Sequence, residues 1–299
     1  MSDILINKVK TKLFVAANKR ATNVLDGAYA SITNGRSLDF DDLRQYSSGD
    51  SVRDIDWKAS ARSNVTLVRR YVADKRFPVV FIMDTGKGMN GLAPYGGERK
   101  DLGILAAGIL GYIALRHGDS VSAVYGDKET SSFLPSRSTE AHLELILKTA
   151  SDETTLDSKH SDIVRQLSYF MEHKFQRSIV IVVSGDIEPS NELENIISRV
   201  QTQHELLWIS TRDADPLEII DASKHKGSIV DIETNEFVPD FIKTKKSLRS
   251  IFKRKEEARV FNAHNYLESK RVSTVSLTSP DLIVFDLIEL LQRRLRERR

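Results

Sequence analysis

The sequence predicts an α/β fold: a doubly wound, mostly parallel sheet with helices on both faces. Three observations carry that prediction. The runs 78–84, PVVFIMD, and 178–184, SIVIVVS, are continuously apolar and rich in β-branched residues, the pattern of central strands buried on both faces. Both lead into polar turns that contain glycine. Helix-period segments then alternate with short apolar runs through the rest of the chain, as β–α–β units do.

Taken in order, residues 3–20 place Ile4, Ile6, Val9, Leu13 and Phe14 among lysines, which fits an amphipathic helix. A polar, turn-rich stretch follows. Residues 35–62 mix many charges with isolated Phe40, Tyr46, Ile55 and Trp57 and keep neither period for long. Residues 65–72 alternate as a strand. Beyond the strand at 78–84 the pattern predicts a helix at 98–115, strands at 120–125 and 131–134, and helices near 138–150 and 161–173. After the strand at 178–184 come a helix at 191–201, a strand at 205–210, an excursion over 211–270, and a strand at 272–277. The closing helix takes Ser279 as its N-cap and Pro280 as its first residue. The excursion holds a small β-element at GSIVDIETNEF and a charged helix over 242–267. Two regions result: 1–76, a helix and a charged block, and 77–298, the sheet domain with its insertion at about 211–270.

Composition removes several function classes. With 299 residues the chain can bury a large core unaided, and with no cysteine it offers no disulfide, thiolate-held metal or thiol nucleophile. The longest uncharged apolar run, 102–115, is too short to span a bilayer and contains three glycines, and residues 1–20 lack the apolar block of a signal peptide. A cytoplasmic protein without a membrane segment is the expectation. The net charge of +2 hides segregation: residues 1–20, 53–76, 243–257 and 293–299 together carry +17, so the remainder carries −15. Such basic windows suit an acidic partner, and they suit solvated helix faces equally well.

Chemistry concentrates at the ends of the two central strands. Asp84 closes the first, and Ser184-Gly185-Asp186 closes the second, with Thr154, Thr155 and Ser161 in the segment before it. A carboxylate with loop hydroxyls and a second carboxylate is a set Mg²⁺ accepts, water completing its octahedron; the same aspartates could instead cap the turns that follow them. GKGMNG at 86–91 has the spacing of a dinucleotide fingerprint, but Pro94, Gly96 and Gly97 postpone the helix that must follow it. No P-loop, G-x-S-x-G or H-E-x-x-H occurs, and the seven histidines are scattered. The acidic and basic residues between Asp39 and Arg62 suggest carboxylate–guanidinium pairs that lock an irregular loop.

That block also carries a resemblance. LDFDDLRQYSSGDSVRDIDWKASAR is similar to the signature of the bacterial family called domain of unknown function 58, with Phe40, Arg44, Tyr46, Gly49, Asp50, Arg53, Ile55, Asp56, Trp57, Ala61 and Arg62 in place. VVFIMDTGKGM resembles the family's first von Willebrand factor A strand, and DADPLE and GSIVDIETNEF its later D-P-x-E and D-x-E-T-G-E segments. The resemblance implies a von Willebrand factor A-like domain that partners a MoxR-type AAA+ ATPase as an adaptor or co-chaperone. It also implies a metal-ion-dependent adhesion site, D-x-S-x-S with a Thr and a later Asp. Here Asp84 matches, Gly86 and Gly88 replace both serines, Ser161 stands near the Thr and Asp186 is the nearest last carboxylate, so the site is degenerate. Larger members also carry membrane helices, which this sequence lacks.

The expectation is therefore a non-enzymatic interaction module. It docks on the ATPase through the carboxyl-end face around Asp84, Thr85, Lys87, Ser161 and Asp186, with no cofactor or at most Mg²⁺ at Asp84, Ser161 and Asp186. The competing reading is a Mg²⁺-dependent hydrolase or nucleotide-binding enzyme at the same strand ends. A nucleic-acid partner at Lys243, Lys245, Lys246, Arg249, Lys253, Arg254 and Lys255 is disfavoured, because that stretch lacks the interleaved aromatics of a single-strand binder.

Overall fold

In the computed structural model, which describes residues 4–17, 21–34, 43–47, 49–50, 52, 55–63, 65–69, 77–173, 175–217, 219, 229–233, 235, 237 and 246–297, the runs read as strands between 78 and 277 pair into one sheet. The chain begins with helices α1 (Leu5–Ala17) and α2 (Ala21–Asn34), then β1 (Leu43–Gln45), α3 (Trp57–Ser63) and β2 (Leu67–Arg69). The sheet domain follows as β3 (Val79–Asp84), a 3₁₀ turn (Lys87–Asn90), α4 (Arg99–Arg116), β4 (Val121–Gly126), β5 (Ser131–Arg137), α5 (Glu140–Glu153) and α6 (Ile163–Glu172). It continues through β6 (Ile179–Ser184), α7 (Asn191–Gln203), β7 (Glu205–Thr211), α8 (Lys246–Ser269), β8 (Ser273–Leu277) and α9 (Ile283–Glu297).

Six strands form the sheet in the order β5-β4-β3-β6-β7-β8, all parallel except the edge strand β5. Every residue of β3 and β6 is buried, and the two-residue alternation of a strand sends their side chains to opposite faces. Phe81, Met83, Ile181 and Val183 join one core under α1, α2, α4, α5 and α9, whereas Val80, Ile82, Val180 and Val182 join a second core under α6, α7 and α8. This is the doubly wound α/β architecture expected from the sequence. The strand order reverses between β3 and β6. In open α/β sheets the crevice at that reversal, outside the carboxyl ends of the strands, is where ligands bind, and Asp84 and Ser184 end those two strands.

Helix α2 is a correction: residues 21–34, read as part of a polar, turn-rich stretch, form a helix. Ala21, Leu25, Ala28, Tyr29 and Ile32 are its buried apolar positions, a three-and-four spacing that thins into small residues and so stands out weakly. The Tyr29 hydroxyl donates to Asp119 Oδ2 (2.7 Å), and Asp119 Oδ1 accepts from the Phe77 amide (2.9 Å), which ties α2 to the entry of the sheet. Helix α1 docks its N-terminus on α5, where the two Glu144 oxygens accept from the Leu5 and Ile6 amides at 2.9 and 2.7 Å; a carboxylate there also suits the helix dipole. Val9 of α1 seats where Gly108 of α4 has no side chain, 2.5 Å from the place a Cβ would take. Both N-terminal helices thus share the core of the sheet domain.

The charged block builds a small unit of its own. β1 and β2 pair antiparallel, and Ile55 bridges Val68. Buried Asp56 caps α3, its Oδ1 accepting from the Lys58 and Ala59 amides at 3.1 and 3.0 Å. Asp50 Oδ2 accepts from the Ser47 amide across the turn at Gly49, whose φ is 114°. Both aspartates thus accept from backbone amides of their own turns. Phe40 and Arg53 lie outside the described residues, as do Lys243 and Lys245. Tyr46, Trp57 and Arg62 lie on the surface, Trp57 at 67% exposure. The final helix starts at Ile283, three residues after Pro280, and Ser279 caps the preceding turn by accepting from the Asp281 amide (3.2 Å).

Candidate functional site

Asp84 is placed by the buried strand β3 and is itself 5% exposed. Its Oδ1 accepts from the Gly86 amide (2.8 Å), and the Ser161 hydroxyl lies beside the carboxylate. Burial raises its pKa from the ordinary 3.8 to about 6, with nearby Glu233 adding to the rise, against the pull of the Gly86 and Ser161 hydrogen bonds and of the Arg99 charge. Thr85 is 4% exposed and extends the β3–β4 ladder by donating to Gly126 O (2.9 Å). Its side chain, expected to meet a partner, faces the interior, whereas Lys87 is partly exposed.

The glycines that replace the hydroxyls have a steric reason. A Cβ on Gly86 would lie 2.6 Å from both Cα and N of Ser161, and one on Gly88 would lie 2.6 Å from Glu233 Oε2. The space of the two lost serines is therefore filled by the loop before α6 and by an acid from the insertion. Glu233 Oε1 accepts from the Ser161 amide (2.9 Å), while its Oε2 is buried without a hydrogen-bond partner among the described residues.

Asp186 turns elsewhere: its carboxylate pairs with Arg259 of α8 at 3.1 Å, with the side chain 4% exposed. Between it and Asp84 lies Arg99, the first residue of α4. Its guanidinium donates to Asp213 Oδ1 (2.7 Å), Thr211 O (3.0 Å) and Gly88 O (3.3 Å), and it closes against Gly185. Asp213, whose pKa burial raises, feels Arg99, Asp186 and Arg259 together. The strand ends thus carry an alternating row of charges, Asp84, Arg99, Asp213, Arg259 and Asp186. Sequence reading missed Arg99, Asp213, Glu233 and Arg259, although the segments DADPLE and GSIVDIETNEF that hold two of them were conspicuous.

This arrangement does not fit the adhesion-site metal. Gly86 and Gly88 bring no hydroxyl, Asp186 is engaged by Arg259, and among the described residues no three His, Cys, Asp or Glu side chains converge to hold an ion. The cavity beneath Asp84, lined by Met83, Met89, Lys100, Gly103 and Thr154, measures about 10 Å³, room for one water at most. The GKGMNG turn forms the 3₁₀ element and does not run into α4, which starts only at Arg99.

Around the seat of Glu233 three loops converge. The Lys87 amide donates to Lys159 O (2.8 Å) and the Lys128 amide to His160 O (2.9 Å). Asp127 holds them together, its Oδ2 accepting from the Lys159 amide and its Oδ1 from the Glu129 and Thr130 amides. Burial pushes its carboxyl up, but these hydrogen bonds outweigh that and leave the pKa below the ordinary value. The result is a basic rim of Lys87, Lys128, Lys159 and His160, with Lys128, Lys159 and His160 exposed.

The Asp84 environment has a pH signature. Between 3.8 and about 6 the folded state holds a proton on Asp84 that the unfolded chain has released, so this residue's contribution to stability falls as pH rises through that window. Unfolding free energies of wild type and Asp84→Asn, measured across pH 4 to 7, are expected to diverge against wild type by between about 2 and 3 kcal/mol. A difference independent of pH contradicts the assignment.

Comparison with known proteins adds context. The family model described as protein of unknown function DUF58 matches residues 42–260. Curated relatives include proteins of Mycobacterium bovis and Mycobacterium tuberculosis, both described as uncharacterized, each 22% identical over 211 residues; the match covers 70% of this chain and 66% of the relatives' length. Solved structures with similarity include an aerotolerance-related membrane protein from Bacteroides fragilis, at 8% identity and TM-score 0.42 over 73% of this chain and 99% of that one. A von Willebrand factor type A protein from Catenulispora acidiphila matches at 11% identity and TM-score 0.37, over 77% and 44% of the two chains.

Proposed function

The chain belongs to the DUF58 family, and from that premise we propose that it is a non-enzymatic protein-interaction module, an adaptor or co-chaperone that docks on a MoxR-type AAA+ ATPase through the carboxyl-end face of its sheet. The observation that carries the reading is the state of the strand-end crevice. Where an enzyme of this fold class opens a cleft of some hundreds of Å³, the cavity beneath Asp84 measures about 10 Å³, and the neighbouring strand ends carry self-paired charges. What the face offers instead is surface: Lys87 beside the basic tips Lys128, Lys159 and His160. Charges arranged on an exposed rim set partner choice and association rate more than they stabilise a fold.

The competing hydrolase or nucleotide-binding reading has less support, because neither the metal set nor a helix-coupled glycine turn is assembled at Asp84. No described helix is long and apolar enough to cross a membrane, and an intracellular partner and location are part of the proposal. The test is co-purification of the tagged chain from its native cell with ATP present. Wild type is expected to recover an AAA+ ATPase that Lys87→Glu/Lys159→Glu does not recover, both positions being at the surface. Failure to recover such an ATPase, or equal recovery by the variant, contradicts the proposal.

A further inference from the structure

Helix α8 is anchored to the sheet domain through its second half. Ala263 and Leu267 are the buried ones among its described side chains, the Tyr266 hydroxyl donates to Ser190 O (3.3 Å), and Arg259 pairs with Asp186 just past the end of β6. From Arg259 the helix runs toward the amino ends of the strands, where Gln201 near the close of α7 donates to Lys270 O (3.0 Å). That direction carries residues 248–258 past the carboxyl ends of the strands, over about 16 Å at the rise of an α-helix, and none of them is buried. The helical period sets Ile251, Arg254, Lys255, Ala258 and Phe261 on one side, opposite Glu256, Ala263 and Leu267. All five are exposed, Ile251 at 60% and Phe261 at 64%.

The charges of this half are unbalanced on its outer side. Lys253, Arg254 and Lys255 are exposed and form no ion pair among the described residues. The carboxylates of the helix are engaged elsewhere, Glu256 with Arg259 (3.0 Å) and Glu268 with Arg293 (2.9 Å), which leaves exposed Glu257 alone against three cations. We infer that this outer side of α8 docks an acidic amphipathic helix of a partner protein. Carboxylates of that helix meet Arg254 and Lys255, and two of its apolar side chains, about 15 Å apart, cover Ile251 and Phe261. Charge complementarity selects the occupant. A lipid surface asks for a broad apolar face, whereas α8 presents two separated apolar side chains. Nucleic-acid phosphates would face Glu257 and leave Ile251 and Phe261 without a partner. The inference stands on the helix itself and does not rest on the ATPase assignment.

The experiment is fluorescence anisotropy of the full chain with a labelled designed helical peptide. The peptide carries two leucines at the spacing of Ile251 and Phe261, with glutamates between them on the same side; companion peptides carry glutamine or lysine in place of glutamate. Wild type is expected to bind the glutamate peptide saturably and the glutamine peptide about tenfold more weakly. Arg254→Glu/Lys255→Glu loses the glutamate peptide and gains the lysine peptide, a reversal that a variant damaged in its fold would not show. Ile251→Ser/Phe261→Ser, which leaves the charge unchanged, weakens the glutamate peptide by about tenfold. No saturable binding of the glutamate peptide, equal binding of the glutamine peptide, or no loss in either variant overturns the inference. So does tighter binding of duplex DNA or of phosphatidylglycerol vesicles that Arg254→Glu/Lys255→Glu abolishes. The docking proposal is tested separately with the ATPase, and either result can fail without the other.

Discussion

Arg99→Ala is expected to lower the unfolding free energy by about 3 to 4 kcal/mol and the melting temperature by roughly 10 °C, the largest effect of any single substitution at the strand ends. Arg99 is 6% exposed, and its guanidinium donates to Asp213 and to two backbone carbonyls, Thr211 O and Gly88 O, and packs against Gly185. Removing it strips donors from those carbonyls, each a loss of about 1 kcal/mol or more. It also opens a void and leaves Asp213 facing Asp186 with less compensation. Asp213 is about half exposed, and its share is discounted for solvent screening. Arg99→Lys reaches one acceptor where the fork reaches three, so it recovers only part of the loss. Thermal unfolding monitored by circular dichroism checks the series; a shift within a degree or two of wild type contradicts the bridging role given to Arg99.

Gly86→Ser is the second large effect, and its direction runs against intuition. It restores a hydroxyl that the adhesion-site pattern asks for, yet it is expected to destabilise by about 3 kcal/mol or more and to gain no Mg²⁺ affinity. The new Cβ would fall 2.6 Å from Cα and N of Ser161. Those are backbone atoms, held by the hydrogen bond from the Ser161 amide to Glu233 and by the loop contacts through Asp127 and Lys159, so they yield only by moving the loop. Calorimetric titration with Mg²⁺ alongside thermal unfolding reads both halves; Mg²⁺ binding by a stable Gly86→Ser protein contradicts the steric account.

Much of the fold was legible because burial on both faces leaves a mark in composition. PVVFIMD and SIVIVVS admit few other readings, and the alternation of strands and helices followed from them. Helix α2 was not legible, since Ala21 and Ala28 make two of the five positions of its apolar stripe too small to distinguish from a turn-rich segment. At the site, Asp84 and Lys87 stood out as residues at a strand end. Their partners did not: Arg99 meets Asp213 across 114 residues and Ser161 meets Glu233 across 72, and nothing local pairs a charge with a charge so distant. The replacement of two serines by Gly86 and Gly88 read as a loss of ligands. Only the approach of Ser161 and Glu233 shows it as room made for other groups. Trp57, in the signature block, is 67% exposed, more than a residue that merely braces a loop requires, and aromatic anchors of this kind recur at protein interfaces.

The most direct measurement is amide hydrogen exchange of the chain alone and in complex with the MoxR-type ATPase in its ATP-bound state. A docking surface at the strand ends predicts new protection in the loop tips 85–90, 127–130 and 158–161. Protection confined to the block around Trp57 or to α8, with the three loop tips unchanged, would contradict the central claim.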